Sequence, residues 1–128
     1  MKPTPPKSFK DLWVWQRSVA LVLHIHAITE HVPHSDSSGA VRHLCRAAVS
    51  IPARIARGVG IGRYGPYVRC LLSAYGSTLE VETALHIARE LKLISEEGAA
   101  RALVTNEEIA QMLVSMASSL EMLPEPEG

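Results

Sequence analysis

In four successive stretches of this chain an apolar residue returns every third or fourth position, and nowhere do apolar and polar residues alternate over a useful length. A helix repeats every 3.6 residues and a strand every two, so the pattern confines the chain to helix packed on helix. The stretch from Val41 to Arg57 is the clearest instance. At 100° per residue, Val41, Leu44, Ala48, Ile51 and Ile55 fall within a sector of about 80°. Arg42, Arg46, Ser50, Arg54 and Arg57 fall within another of about 120° on a different side. One helix thus carries both a core face and a stripe of arginine.

The rest of the chain follows the same logic. Residues 1–7, MKPTPPK, form a proline-rich lead expected to be extended. Ser8 offers an N-cap and Asp11 a first-turn acid, opening a helix that runs to about His31. It has two adjoining apolar stripes, at positions 12, 15, 19 and 22 and at 14, 21, 25 and 28. That breadth exceeds what one neighbour covers, which points to a central helix or to association between copies. HVPHSDSSG breaks this helix at Pro33, and the second is expected to start near Ser37 or Ser38. Pro52 lies inside the second helix, where a proline costs about 3 kcal/mol in an ordinary interior. Because Ile55 continues the apolar sector in register, the expectation is a kink rather than a break. Gly58, Gly60 and Gly62 then end or loosen the last turn.

A third helix is predicted from about Pro66 to Leu93, about 40 Å long at 1.5 Å per residue. Val68, Leu71, Leu72, Tyr75 and Leu79, then Leu85, Ala88 and Leu91, are expected on its inner side. Ser95 caps a fourth, running to about Leu123 with Leu103, Ala110, Leu113, Val114, Ala117 and Leu120 inward. Pro124 and Pro126 stop it, leaving residues 124–128 as a short tail. The expected fold is an all-α, antiparallel up-and-down four-helix bundle with a proline-kinked second helix, one domain over residues 8–123.

A chain of 128 residues supports one core. Its formal net charge is zero, but the distribution is lopsided. Residues 37–79 hold six arginines and no acid, whereas residues 80–128 hold three bases and ten glutamates. Cys45 and Cys70 have no CxxC spacing and are too few for a disulfide framework, so they read as buried free thiols. The longest apolar run, SVALVLHIHAI, is too short to span a bilayer, and no signal-like segment is recognised. The expectation is a cytoplasmic protein with no membrane partner.

Three blocks in order, FKDLWVWQRSVALV at 9–22, RAAVSIPARIARGVGIGR at 46–63 and LLSAYGSTLEVETALHIARELKLI at 71–94, carry a family likeness. Together they resemble the small four-helix-bundle proteins encoded within intervening sequences of bacterial 23S ribosomal RNA genes. The resemblance implies an up-and-down bundle that assembles as a ring-like homopentamer without known enzymatic activity. A related group, the accessory variability determinant proteins of diversity-generating retroelements, shares that barrel and is thought to bind nucleic acid and a reverse transcriptase through basic surface. The family usually reads Ser-x-Pro-x-Asn-Ile-Ala-Glu-Gly, whereas this chain has Arg54 at the asparagine position and Arg57 at the glutamate position. That face is therefore more basic than in its relatives.

Other chemistries fit the residues less well. Gly58, Gly60 and Gly62 follow a helix with the spacing G-x-G-x-G, matching neither a dinucleotide fingerprint nor a P-loop. His31 and His34 straddle a turn, and Glu82, His86 and Glu90 share a helical face, but the spacing is Glu-x-x-x-His and not the paired Glu-x-x-His of bundle metal sites. An ion pair between His86 and Glu82 or Glu90 is the simpler expectation. Ser50, Ser73 and Ser77 lack a strand–turn–helix elbow, so no catalytic residue, cofactor or metal is expected. Trp15 joins an apolar face, and Trp13 suits an interface. The candidate site is the arginine stripe, Arg42, Arg46, Arg54 and Arg57, as a contact for RNA or DNA. The alternative is a structural or protein-interaction scaffold whose arginines pair with glutamates of the same or a neighbouring subunit.

Overall fold

A computed structural model describes residues 5–121. Among these the chain forms four α-helices and no strand: α1 Trp13–Thr29, α2 Ala40–Ile61, α3 Tyr64–Glu90 and α4 Glu96–Glu121. Each helix packs on two others, α1 on α2 and α4, and α3 on α2 and α4, with the α2–α3 contact the most extensive. The expected ends of the fourth helix at Leu123 and of the tail at 124–128 lie outside the described residues, as does the start of the lead.

The start of α1 differs from expectation. Ser8 does cap a turn, accepting from the Lys10 amide at 3.3 Å, but that turn is a 3-10 segment, Phe9–Asp11. Leu12 then adopts an extended backbone before α1 begins. The detour lets Phe9 meet Trp15 with ring centroids 5.2 Å apart. At the next junction Asp36 accepts from the Ser38 hydroxyl at 2.5 Å, and the Ser38 oxygen accepts from the Ala40 amide. Gly39 supplies a left-handed backbone there, φ 68°, so α2 starts two residues later than its serines suggested.

α2 passes through Pro52 as one helix with the proline ring buried. It also passes through Gly58 and Gly60, correcting the expectation that these loosen its last turn, and ends at Gly62, whose φ of 74° is the left-handed cap. α3 ends three residues early because Lys92 takes φ 61° and the Leu93 amide donates back to the Ala88 carbonyl at 2.9 Å. Ser95 caps α4 as expected, accepting from the Gly98 amide at 2.9 Å.

The core is aliphatic. Val14, Leu21 and Ile25 of α1, Leu44, Ala48, Ile51 and Ile55 of α2, Leu71, Val81 and Leu85 of α3, and Ile109 and Leu113 of α4 are buried together. On α3 the buried face runs through Tyr67, Leu71, Ala74, Thr78, Val81, Leu85 and Ala88. Leu72, Leu79 and Leu91 were expected inward but stand exposed, because they project from the other side of that helix. Val114 is likewise exposed, facing Tyr75 and Leu79 across an apolar groove between α3 and α4. Cys45 and Cys70 are free, but half-buried rather than buried.

Candidate nucleic-acid interface

The arginine stripe forms as its spacing predicts, along the side of α2 turned from the core. Arg42, Arg46 and Arg57 are exposed and Arg54 is half-buried. From Arg42 to Arg57 the stripe runs about 22 Å along the helix axis at 1.5 Å per residue. The Arg42 guanidinium folds toward the helix start, where a Cβ on Gly39 would stand 3.2 Å from its Nη2. Val49 and Ala53 fill the exposed surface between the cations.

The stripe has no carboxylate partner among the described residues. The ion pairs that form are Arg17 with Glu108, at 2.9 Å between α1 and α4, and Arg89 with Glu90, at 3.8 Å. The expectation that the helix-2 arginines are consumed by glutamates within the same subunit is therefore not met. α2 lies against α1 and α3, while α4, which carries Glu96, Glu97, Glu107 and Glu108, packs on α1 and α3 instead. The topology keeps α4 from α2, while Glu80, Glu82 and Glu90 of α3, which does pack on α2, form no ion pair with the stripe.

Arg54 is placed differently from the others. It sits where α2 turns toward α3, and its Nη1 donates to the hydroxyls of Ser50, at 3.3 Å, and Ser77. The Ser50 hydroxyl lies 2.7 Å from Ser77 Oγ and 2.6 Å from the Ala47 carbonyl, and Ser77 Oγ lies 3.4 Å from the Ser73 carbonyl. One turn further along, Gly58 brings α2 against Cys70 of α3. The sequence placed Ser50 on the stripe but gave no link between Ser77 and Arg54. The one available signal was a pair of hydroxyl residues, Ser77 and Thr78, inside the largely apolar inner face of α3.

The other candidate groups do not converge. His86 Nδ1 meets Arg89 Nη2 at 2.8 Å, not Glu82 or Glu90, because Arg89 lies one turn along the same face. His31 Nε2 lies 2.9 Å from the Leu93 carbonyl, tying the α1–α2 loop to the α3–α4 loop. Among the described residues, no group of three His, Cys, Asp or Glu side chains is placed to hold a metal ion. Trp13 is 48% exposed with the Arg17 guanidinium 5.9 Å from its ring centroid, on α1 and not on the stripe. No helix of the described residues is long and apolar enough to cross a membrane.

The sequence profile of the family described as 23S rRNA-intervening sequence protein matches residues 10–115. This chain belongs to that family. No protein with a curated description matches it. Among solved structures, the intervening-sequence protein is similar to a crystal structure from Bacteroides thetaiotaomicron, described as a protein with unknown function from the S23 ribosomal protein family. The two share 19% identity with a TM-score of 0.74, over 81% of this chain and 97% of that one. At that identity the likeness is one of fold. Neither the family description nor the neighbour names an enzymatic reaction.

Proposed function

We propose that this intervening-sequence protein is a non-enzymatic, self-assembling bundle that binds RNA or DNA in the cytoplasm through the arginine-lined face of α2. The observation that carries this reading is the set Arg42, Arg46, Arg54 and Arg57, four cations on one helix side with no carboxylate partner among the described residues. Guanidinium groups at such intervals bond phosphate oxygens in pairs, and copies of the face around an assembly add their charge. Assembly is supported by Leu72, Leu79 and Ile87, which stand exposed on α3, and by exposed Leu91 at its C-cap. The family resemblance implies five copies.

The competing reading is a scaffold in which the same arginines meet glutamates of a neighbouring copy. It draws on the ten glutamates of residues 80–128, most of them unpaired within the subunit among the described residues. The two readings part in a binding assay with a labelled mixed-sequence RNA at low salt. On the nucleic-acid reading the assembled protein binds, and replacing all four arginines by Gln abolishes binding while native mass spectrometry still finds the assembly. On the scaffold reading RNA is not bound, and the same replacement dissociates the copies.

A further inference from the structure

Of the four arginines on the stripe, Arg54 is held in place by neutral groups. Its Nη1 donates to two serine oxygens, Ser50 Oγ and Ser77 Oγ. Ser77 is 1% exposed and is itself fixed by Ser50 and by the turn of α3 before it. A guanidinium carries five N–H donors in a rigid fork, so Nε and Nη2 are left. Among the described residues these two atoms have no hydrogen-bond or ion-pair partner, and neither is buried without one. The edge of the fork that meets an oxyanion side-on is therefore without a partner and not sealed from solvent.

The anchoring chemistry matters as much as the geometry. A carboxylate anchor would steady the guanidinium and cancel its charge, whereas two hydroxyls steady it and leave the charge whole. An arginine loses much rotamer freedom when it grips a ligand, and here that loss has already occurred on folding. Arg57, one turn along α2, adds a second cation without such an anchor. From this we infer that the Nε–Nη2 edge of Arg54 is a preformed seat for one phosphodiester of the bound nucleic acid, with Ser50 and Ser77 as its positioning residues. The inference rests on the nucleic-acid reading and adds that the four cations are not equivalent.

The test compares the assembled full-length protein with its Arg54→Gln, Arg54→Lys, Ser77→Ala and Arg46→Gln variants, binding a fluorescein-labelled mixed-sequence RNA across a salt series. Arg54→Gln is expected to weaken binding about tenfold and to lower the salt slope by about one. Arg54→Lys and Ser77→Ala keep every charge, so their slopes stay as in the parent while affinity falls about threefold to fivefold. Arg46→Gln lowers the slope as Arg54→Gln does, but costs less affinity. Circular dichroism and native mass confirm that each variant is folded and assembled, and Arg54→Lys is informative even where Ser77→Ala is not.

Parent-like affinity in both Arg54→Lys and Ser77→Ala, with the parent itself binding RNA, overturns this inference and leaves the nucleic-acid reading standing. A parent that does not bind RNA overturns both. Loss of assembly in Arg54→Gln assigns the oxyanion to a neighbouring subunit's carboxylate instead. Saturation of the site by inorganic phosphate alone at micromolar concentration assigns it to a small free anion.

Discussion

A Cβ built on Gly58 of α2 would stand 2.7 Å from the Cβ of Cys70 on α3 and 3.1 Å from the Tyr67 ring. Side-chain atoms of two helices do not approach so closely, so the glycine sets the distance between α2 and α3. Gly58→Ala gains helix propensity of up to about 1 kcal/mol. It must also push the helices apart, and overpacking of that kind costs about 1–3 kcal/mol. The expected result is a net loss of about 1–2 kcal/mol in unfolding free energy by urea titration. An unchanged midpoint would mean that the two helices are not in contact there.

Asn106 on α4 is buried, its Nδ2 donating to the Thr78 carbonyl of α3 at 2.9 Å and its Oδ1 without a partner. An unsatisfied buried acceptor costs about 1–3 kcal/mol, more than the single hydrogen bond contributes. Thr78 lies inside α3, so its carbonyl keeps its own helical partner when Asn106 is removed. Asn106→Leu is expected to be neutral or to stabilise the protein by up to about 1 kcal/mol. A loss of about 2 kcal/mol or more would indicate that Oδ1 is hydrated in solution.

Burial raises the phenol of Tyr67 above its ordinary pKa of 10.0. A folded value above the unfolded one favours the protonated phenol in the fold. Its stabilisation is whole below pH 10 and declines as pH rises through the folded value. Unfolding free energy measured between about pH 9 and 11 should fall more steeply in the parent protein than in Tyr67→Phe, which has nothing to ionise. Parallel curves would contradict the assignment.

If all four stripe arginines reach phosphates, binding should carry a defined salt dependence. At about −0.7 per contact on a single strand, log Kobs against log salt has an expected slope near −3 for each engaged protomer. Anisotropy titrations at about 50–200 mM salt would measure it. A slope near zero would mean that the arginines are not at the interface.

Much of this arrangement was legible in the residues, and the places where it was not have physical causes. Apolar spacing marked four helices because each buries one side, and the same geometry marked the arginines of α2 as a stripe. Ser95 was legible as a cap because capping is local. Lys92 was not recognised as a helix stop, since its left-handed backbone is imposed by the turn into Ile94 and α4 and carries no glycine to announce it. Gly58, Gly60 and Gly62 look alike in sequence, yet the first sets a helix–helix contact, the second faces open space and the third caps α2. Ser77 was legible only as a candidate nucleophile, because its partnership with Arg54 depends on the register between α2 and α3. That register is a property of packed surfaces, not of any local stretch.

Neither a guanidinium nor a serine hydroxyl gains or loses a proton anywhere near physiological pH. The Arg54–Ser50–Ser77 cluster is made of those two kinds of group, with no carboxylate or imidazole among its contacts. A histidine or carboxylate in the same position would have made the grip responsive to acidity. As built, this part of the α2 face answers to the concentration of competing ions.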